Sequence, residues 1–342
     1  MKLHPLLILP VVLAGCASPF CQSHTKAYPK NHKVQQIAYE AVEAAKASLH
    51  PRGIAVIVAE PKTGKILAIS GNETGSIFEP GSTFKPVVAV AALQEGKITP
   101  KTKIFCENGA FNFKGKTIKD HNGAGELTFD EILMRSSNIG SAKMSLLLKD
   151  SVYYDYVRRF GFGQKTEISE PGENPGIVNP PSKWDELTKT RMAFGQSVAV
   201  TPIQLTMAYC ALANGGLLMK PRIGDERPVV VRRVCSRGTA DRLKNALEKT
   251  VSDQGTAPLA RVDGVAVGGK TGTAQAITAD GHYARDKYWT MFAGFFPVNH
   301  PKYVVVVVVD EADLPPDKNY GGLVAAPIFS EIAGKILKNS SK

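Results

Sequence analysis

Nothing in this 342-residue sequence is apolar for long enough to cross a membrane as a helix. The best candidate, MKLHPLLILPVVLAGCAS at the N-terminus, has one lysine and then an apolar run well short of the roughly 20 residues a span needs. Histidine is thin and scattered, seven residues with no His-Glu-x-x-His or paired spacing, so no metal site and no cofactor are expected. Basic residues outnumber acidic ones to give a formal net charge of +11, yet no basic run is longer than Val-Arg-Arg-Val and no nucleic-acid motif accompanies it. Nucleic acid is therefore not an expected partner, and diffuse attraction to an anionic envelope suits the charge better. Cysteine is scarce too. Beyond Cys16 there are Cys21, Cys106, Cys210 and Cys235, which leave three pairings open. No bridge is expected, and Cys210 in AYCALANGG has the setting of a small core residue. No internal repeat divides the chain. With 43% hydrophobic and 21% charged residues, the composition suits one large α/β domain or two smaller ones.

What is present begins with location. The N-terminal apolar run reads as the core of an export signal. It ends in Leu13-Ala14-Gly15-Cys16, which resembles a bacterial lipobox and implies cleavage before Cys16 and lipidation of its thiol. Residues 1–15 are thus expected to be a lipoprotein signal peptide, 16–32 a polar tether and 33–342 the folded domain, held to a membrane in the cell envelope.

Within the domain, Val34, Ile37, Ala41, Ala45 and Leu49 fall at helical spacing and predict a helix that stops before Pro51. GIAVIVAE and KILAIS predict a hairpin joined by Pro61-Lys62-Thr63-Gly64. There proline presets the turn, glycine can take a positive φ, and Lys62 faces solvent. EPGSTFKPVVAVAALQEG predicts a helix from Ser82 to about Glu95. Thr128 and Glu131 form a capping box for a short helix, and another begins near Ile139, with Ser136-Ser137-Asn138 at the junction. Thr201, Pro202 and Gln204 open a further helix that Asn214-Gly215-Gly216 ends, and one more covers about 239–252. VAVGGKTGTAQAI, YWTMFAGFF and YVVVVVVD then predict strands, the last buried on both faces, before a final helix, AAPIFSEIAGKIL. The expected fold is α/β: one antiparallel sheet completed by both chain termini, with flanking helices and an inserted all-helical lobe.

The chemistry concentrates in Glu-Pro-Gly-Ser82-Thr-Phe-Lys85-Pro. Residues three apart share a helix face, so Lys85 can reach Ser82. A serine hydroxyl attacks only when a base removes its proton, and a lysine is that base only if burial and nearby positive charge lower its proton affinity. Pro86 removes a first-turn hydrogen bond, an odd choice for a merely structural helix. Ser-x-x-Lys alone is common, as Ser23 to Lys26 in the tether illustrates. Ser136-Ser137-Asn138 and Lys270-Thr271-Gly272-Thr273 follow it here, the ordered triplet set of penicillin-binding proteins and class A β-lactamases.

The chain resembles the penicillin-binding transpeptidase domain of class B peptidoglycan synthases from about residue 52 to 338. FEPGSTFKP, LTFDEILMRSSNIG, RFGFGQKT, AFGQSVAVTPIQLTMAYCALANGG, VGGKTGTAQ and FAGFFPVNHPKY all match in order. The resemblance implies D,D-transpeptidase activity on peptidoglycan stem peptides through an acyl-enzyme on Ser82. Lys85 would be the base, and Ser136 and Lys270 would relay a proton to the leaving D-alanine. Asn138 would hold the donor's amide and orient Lys85. The backbone N–H groups of Ser82 and Thr273 would form the oxyanion hole, while Thr271 and Thr273 would bind the terminal carboxylate. Gly272 would let the substrate approach as an added strand. β-Lactams would acylate Ser82 as mimics of the donor.

The same motifs serve D,D-carboxypeptidases and serine β-lactamases. Glu170-Pro-Gly-Glu173-Asn174 imitates the deacylating carboxylate spacing of class A β-lactamases, but Glu173 stands where that pattern has leucine. A non-hydrolytic β-lactam sensor or scaffold is the alternative of another class. Class B synthases also carry a spanning helix and a pedestal that contact a glycan polymerase. Residues 16–51 here supply a tether and one helix, so recruitment by such a polymerase has little sequence support.

Overall fold

The computed structural model describes residues 32–168, 173–278 and 282–340. The expected signal peptide and tether, with Cys16 and Cys21, lie outside the described residues, as does Glu170. Helix α1 (His32–Leu49) leads into the hairpin of β1 (Gly53–Glu60) and β2 (Lys65–Gly71). A 3₁₀ turn, Gly81–Phe84, runs directly into α2 (Lys85–Gln94). The inserted lobe is not all helical as expected: four short, mostly exposed strands come first, β3 (Lys103–Phe105), β4 (Ala110–Phe113), β5 (Lys116–Lys119) and β6 (Glu126–Thr128), paired as β3-β6 and β4-β5. The helical lobe continues through α3 (Phe129–Met134), α4 (Asn138–Leu146), α5 (Asp150–Arg159), α6 (Thr188–Met192) and α7 (Pro202–Ala213). A small hairpin, β7 (Leu217–Met219) and β8 (Val230–Arg233), precedes α8 (Arg237–Lys249). The chain then forms β9 (Gly268–Ile277), β10 (Tyr283–Phe296), β11 (Tyr303–Asp310) and α9 (Ala325–Ser340).

The main sheet has five strands in the order β2-β1-β11-β10-β9, with antiparallel neighbours throughout. Early and late chain meet where β1 pairs with β11, from Gly53 opposite Asp310 to Ala59 opposite Val304. The valine run shows why this strand is central. Val304, Val306 and Val308 belong to the core shared with α2, α7 and α8, whereas Val305, Val307 and Val309 belong to the core under α1 and α9. Each fully buried valine contributes roughly 1.5–3 kcal/mol, so the run bonds both layers to one strand.

The capping boxes of Thr128 with Glu131 and of Thr201 with Gln204 are both formed. One boundary differs from expectation: the α-helix starts at Lys85 rather than Ser82. Pro86 has no N–H to give the Ser82 carbonyl, which instead accepts from Lys85, three residues on, and tightens the turn to 3₁₀. Pro86 itself falls in the first turn of α2, where a missing N–H costs nothing, so the expected penalty does not arise. Cys106, Cys210 and Cys235 are buried free thiols.

Candidate active site

The 3₁₀ turn sets the first pair. In that geometry side chains three apart eclipse, and the Lys85 Nζ lies 2.6 Å from the Ser82 Oγ. Lys85 is fully buried. Its other contacts are the Ser136 carbonyl at 2.7 Å, the Asn138 Oδ1 at 2.7 Å and the Ser136 Oγ at 3.0 Å. Two of these, the carbonyl and the amide oxygen, can only accept. A neutral amine has two N–H donors for those two acceptors and keeps a lone pair for the Ser82 hydroxyl proton. Electrostatics favour that state: burial, then the positive charge of Lys270, holds Lys85 well below the usual lysine range.

Ser136 sits between α3 and α4 with φ +59, a left-handed conformation that reverses the chain and aims its hydroxyl into the cleft. Ser137 caps α4 by accepting from the Gly140 N–H at 2.9 Å. The orientation of Asn138 follows from its other end, where Nδ2 donates to the Lys119 carbonyl at 2.9 Å and leaves Oδ1 for Lys85. Asp120 holds this turn from outside. It accepts from the Ser137 hydroxyl and the Asn138 N–H, each at 2.6 Å, and from the Ile139 N–H at 3.0 Å. Sequence reasoning missed Asp120, which no local spacing ties to Ser137.

The second lysine comes from β9. Lys270, also fully buried, donates to the Ser136 Oγ at 2.9 Å, so that one hydroxyl bridges both lysines. Burial pulls its pKa down to about 7. Thr271 Oγ1 stands 3.4 Å from the Lys270 Nζ and bonds Thr256 Oγ1 at 3.0 Å. At Gly272 a β-carbon would come within 2.8 Å of the Pro80 carbonyl, so only glycine lets β9 lie against the nucleophile turn. Gly81, at φ +49, faces Thr273 in the same way: a β-carbon there would be 3.3 Å from the Thr273 nitrogen. Thr273 Oγ1 accepts from the Gly321 N–H at 3.2 Å. Ser82, Lys85, Ser136, Asn138, Lys270, Thr271, Gly272 and Thr273 therefore share one cleft. Cys16 lies outside the described residues.

Glu79 is a second residue that the sequence did not single out. Three positions before Ser82, its buried carboxylate accepts from the Ser197 N–H at 2.8 Å and the Tyr283 hydroxyl at 3.0 Å. Burial raises its pKa. Behind it the Gly81 N–H donates to the Gly195 carbonyl at 3.1 Å, so the nucleophile turn is braced from the helical side. The other Lys-Thr-Gly takes no part: Lys62 is exposed, and Gly64, at φ +71, closes the β1–β2 turn. No cluster of side chains able to hold a metal ion occurs among the described residues.

A serine beside a buried lysine, and a second serine bridging it to a lysine on a sheet-edge strand, form the kind of arrangement that serine acyl transfer requires. The chain belongs to the penicillin binding protein transpeptidase domain family, which matches residues 54–334. Stage V sporulation protein D of Bacillus subtilis is 35% identical over 88% of this chain and 51% of its own length. Peptidoglycan D,D-transpeptidase FtsI of Escherichia coli is 29% identical over 92% of this chain and 56% of its own. The chain thus spans about half the length of the curated relatives it matches. Among solved structures, the TP domain of Burkholderia pseudomallei penicillin-binding protein 3 superposes with a TM-score of 0.85 at 34% identity, covering 90% of this chain and 94% of that one. Mycobacterium tuberculosis penicillin-binding protein 3 complexed with aztreonam gives 0.83 at 31%, covering 90% and 77%. No helix among the described residues is long and apolar enough to cross a membrane.

Proposed function

We propose that this chain is a peptidoglycan D,D-transpeptidase, anchored through lipid on Cys16, that works by a Ser82 acyl-enzyme and is acylated by β-lactams. The single observation that carries this is the fully buried Lys85 amine, 2.6 Å from the Ser82 Oγ and with its N–H groups already committed to acceptors. Lys85 takes the hydroxyl proton as Ser82 Oγ attacks the carbonyl of the penultimate D-alanine in a stem peptide. The backbone N–H groups of Ser82 and Thr273 hold the oxyanion, a contribution of about 3 kcal/mol per donor. As the peptide C–N bond breaks, the Lys85 proton passes through the Ser136 hydroxyl, with Lys270 behind it, to the departing amine. An acceptor amine then attacks the Ser82 ester, loses its proton by the reverse route and forms the crosslink. Thr271 and Thr273 receive the terminal carboxylate, and Asn138 orients Lys85 and the donor amide. β9 is an edge strand, so its outer side is open to an extended peptide.

Transfer is favoured over β-lactam hydrolysis because the Glu170–Asn174 stretch departs from the class A deacylation motif, with Glu173 where that motif has leucine. Glu173 is spent on its own loop, accepting from the Thr166 N–H and hydroxyl and the Glu167 N–H, and Asn174 accepts from the Gly176 N–H. The domain division is 1–15 signal, 16–32 tether and 33–342 catalytic domain. The test is incubation with a D-Ala-D-Ala stem peptide and an acceptor amine. Crosslinked product that vanishes in Ser82→Ala is expected. Free tetrapeptide as the sole product would replace transfer with carboxypeptidase action, and no consumption of peptide would leave a sensor or scaffold.

A further inference from the structure

One end of the main sheet carries positive charge that the acyl-transfer cleft does not use. There the β1–β2 turn (61–64) and the β10–β11 turn (298–301) border a hollow of about 470 Å3 lined by Lys62, Arg237, Lys244 and His300, with Asp241 as its one carboxylate among the described residues. Asp241 is spent on Lys244 at 2.9 Å. The β7–β8 hairpin is stitched to the same end. Arg222 donates its N–H to the Gly64 carbonyl at 3.0 Å, and the Arg233 guanidinium donates to Gly215, in the wall of the hollow, at 2.9 Å. Lys62, Arg227, Arg233, Arg237 and Lys302 ion-pair with no carboxylate among the described residues. Between Arg227 and Arg233 stand Val229, Val230 and Val231, exposed by 50%, 51% and 45%. A short apolar ridge inside a basic rim is poor design for nucleic acid, which offers no apolar layer, and suits a lipid surface with anionic headgroups.

The course of α1 points the same way. Gln35, near its start, bonds the Ile69 backbone in mid-β2, while the Leu49 carbonyl at its end accepts from Asp313 beyond the far end of β11. α1 therefore runs away from the basic end, and the described chain begins on that side. A lipid on Cys16 would hold the domain close to a membrane, where the basic face supplies the orientation. The Ser82 cleft lies along β9, the edge strand farthest from β2, and is left open by such docking.

We propose that this end of the domain is a docking face for an anionic lipid surface, with the unpaired cations meeting headgroups and Val229–Val231 entering the interfacial layer. The delivery rests on the lipid-anchor reading above; the surface chemistry does not. The full chain is tested with phosphatidylglycerol and phosphatidylcholine vesicles by hydrogen exchange, and intact mass separately reports whether Cys16 carries lipid. Backbone protection of 227–233 and 298–302 on phosphatidylglycerol alone is the expected result. In the Lys62→Gln/Arg227→Gln/Arg237→Gln variant that protection should weaken about fivefold per cation removed, and high salt should abolish it. Retained penicillin acylation in the same variant shows that it is folded. Equal protection on both lipids, or protection indifferent to the three substitutions, would overturn the proposal. So would protection by an acidic polypeptide or DNA but not by vesicles. An unlipidated Cys16 with these results intact removes the anchor and keeps the face.

Discussion

Lys62-Thr63-Gly64 and Lys270-Thr271-Gly272 are the same three residues in two physical situations. The first caps a hairpin with its lysine in water and its glycine at φ +71, so it acts through backbone conformation. The second lies in β9 with its lysine fully buried, its amine on the Ser136 hydroxyl and its glycine against the Pro80 carbonyl. A tripeptide has no chemistry of its own. Burial and a partner hydroxyl suit Lys270 to acid–base work, with a pKa brought down to about 7, whereas Lys62 is exposed.

The sharpest way to break this comparison is to truncate each lysine. Lys270→Ala is expected to slow penicillin acylation of Ser82 by about 10²–10⁴-fold, the usual worth of a positioned proton-transfer group. Lys62→Ala should change it less than about twofold, as for an exposed site away from such features. Stopped-flow acylation rates decide, and equal losses would erase the distinction. The glycines separate in the same way. Gly272→Ala pushes a methyl toward Pro80 and Met291 beside the nucleophile and should cost on the order of 100-fold in acylation through misplacement. Gly64→Ala should instead lower stability by roughly 1–3 kcal/mol, from a strained positive φ and a clash with the Lys220 carbonyl, and leave acylation of the folded protein intact. Denaturant midpoints beside acylation rates read both.

Asp120 extends the comparison to support, since only the second lysine has a partner held in place by a remote carboxylate. Asp120→Ala is expected to slow acylation by about tenfold through a looser Ser136–Asn138 turn, and Asp120→Asn to recover part of it. An unchanged rate at unchanged thermal midpoint would remove Asp120 from the account. The smallest effect is in pH. Protonated Lys85 cannot accept the Ser82 proton, so acylation falls on the acid side. The charge of Lys270 helps to keep Lys85 neutral. Lys270→Gln should therefore raise the Lys85 pKa and move the acid limb of its residual acylation to higher pH. A limb that stays or moves down contradicts the coupling.

Much of this was legible in the residues because the relevant signals are local. Caps at Thr128 and Thr201, the six-valine strand and the Pro61–Gly64 turn each declare themselves within a few positions, and the structure forms all of them. Ser82, Ser136, Asn138 and Lys270 were found because ordered motifs stand in for distance. The 3₁₀ start before α2 was misplaced because a proline in a first turn permits either geometry for the residues ahead of it. β3 to β6 escaped notice since they are three or four residues long and mostly exposed, which leaves alternation too little length to register. Asp120 and Glu79 escaped for a different reason. Each acts on backbone N–H groups brought near by the fold, and no periodicity encodes such contacts.

The central claim is that Ser82, with its proton drawn by Lys85, forms the covalent intermediate. Intact-mass spectrometry after incubation with a penicillin, on the native sequence beside Ser82→Ala, tests it most directly. A persistent adduct of one drug mass on the native protein, absent from Ser82→Ala, is the result the geometry requires. An adduct on Ser82→Ala, or none on either protein, would contradict it.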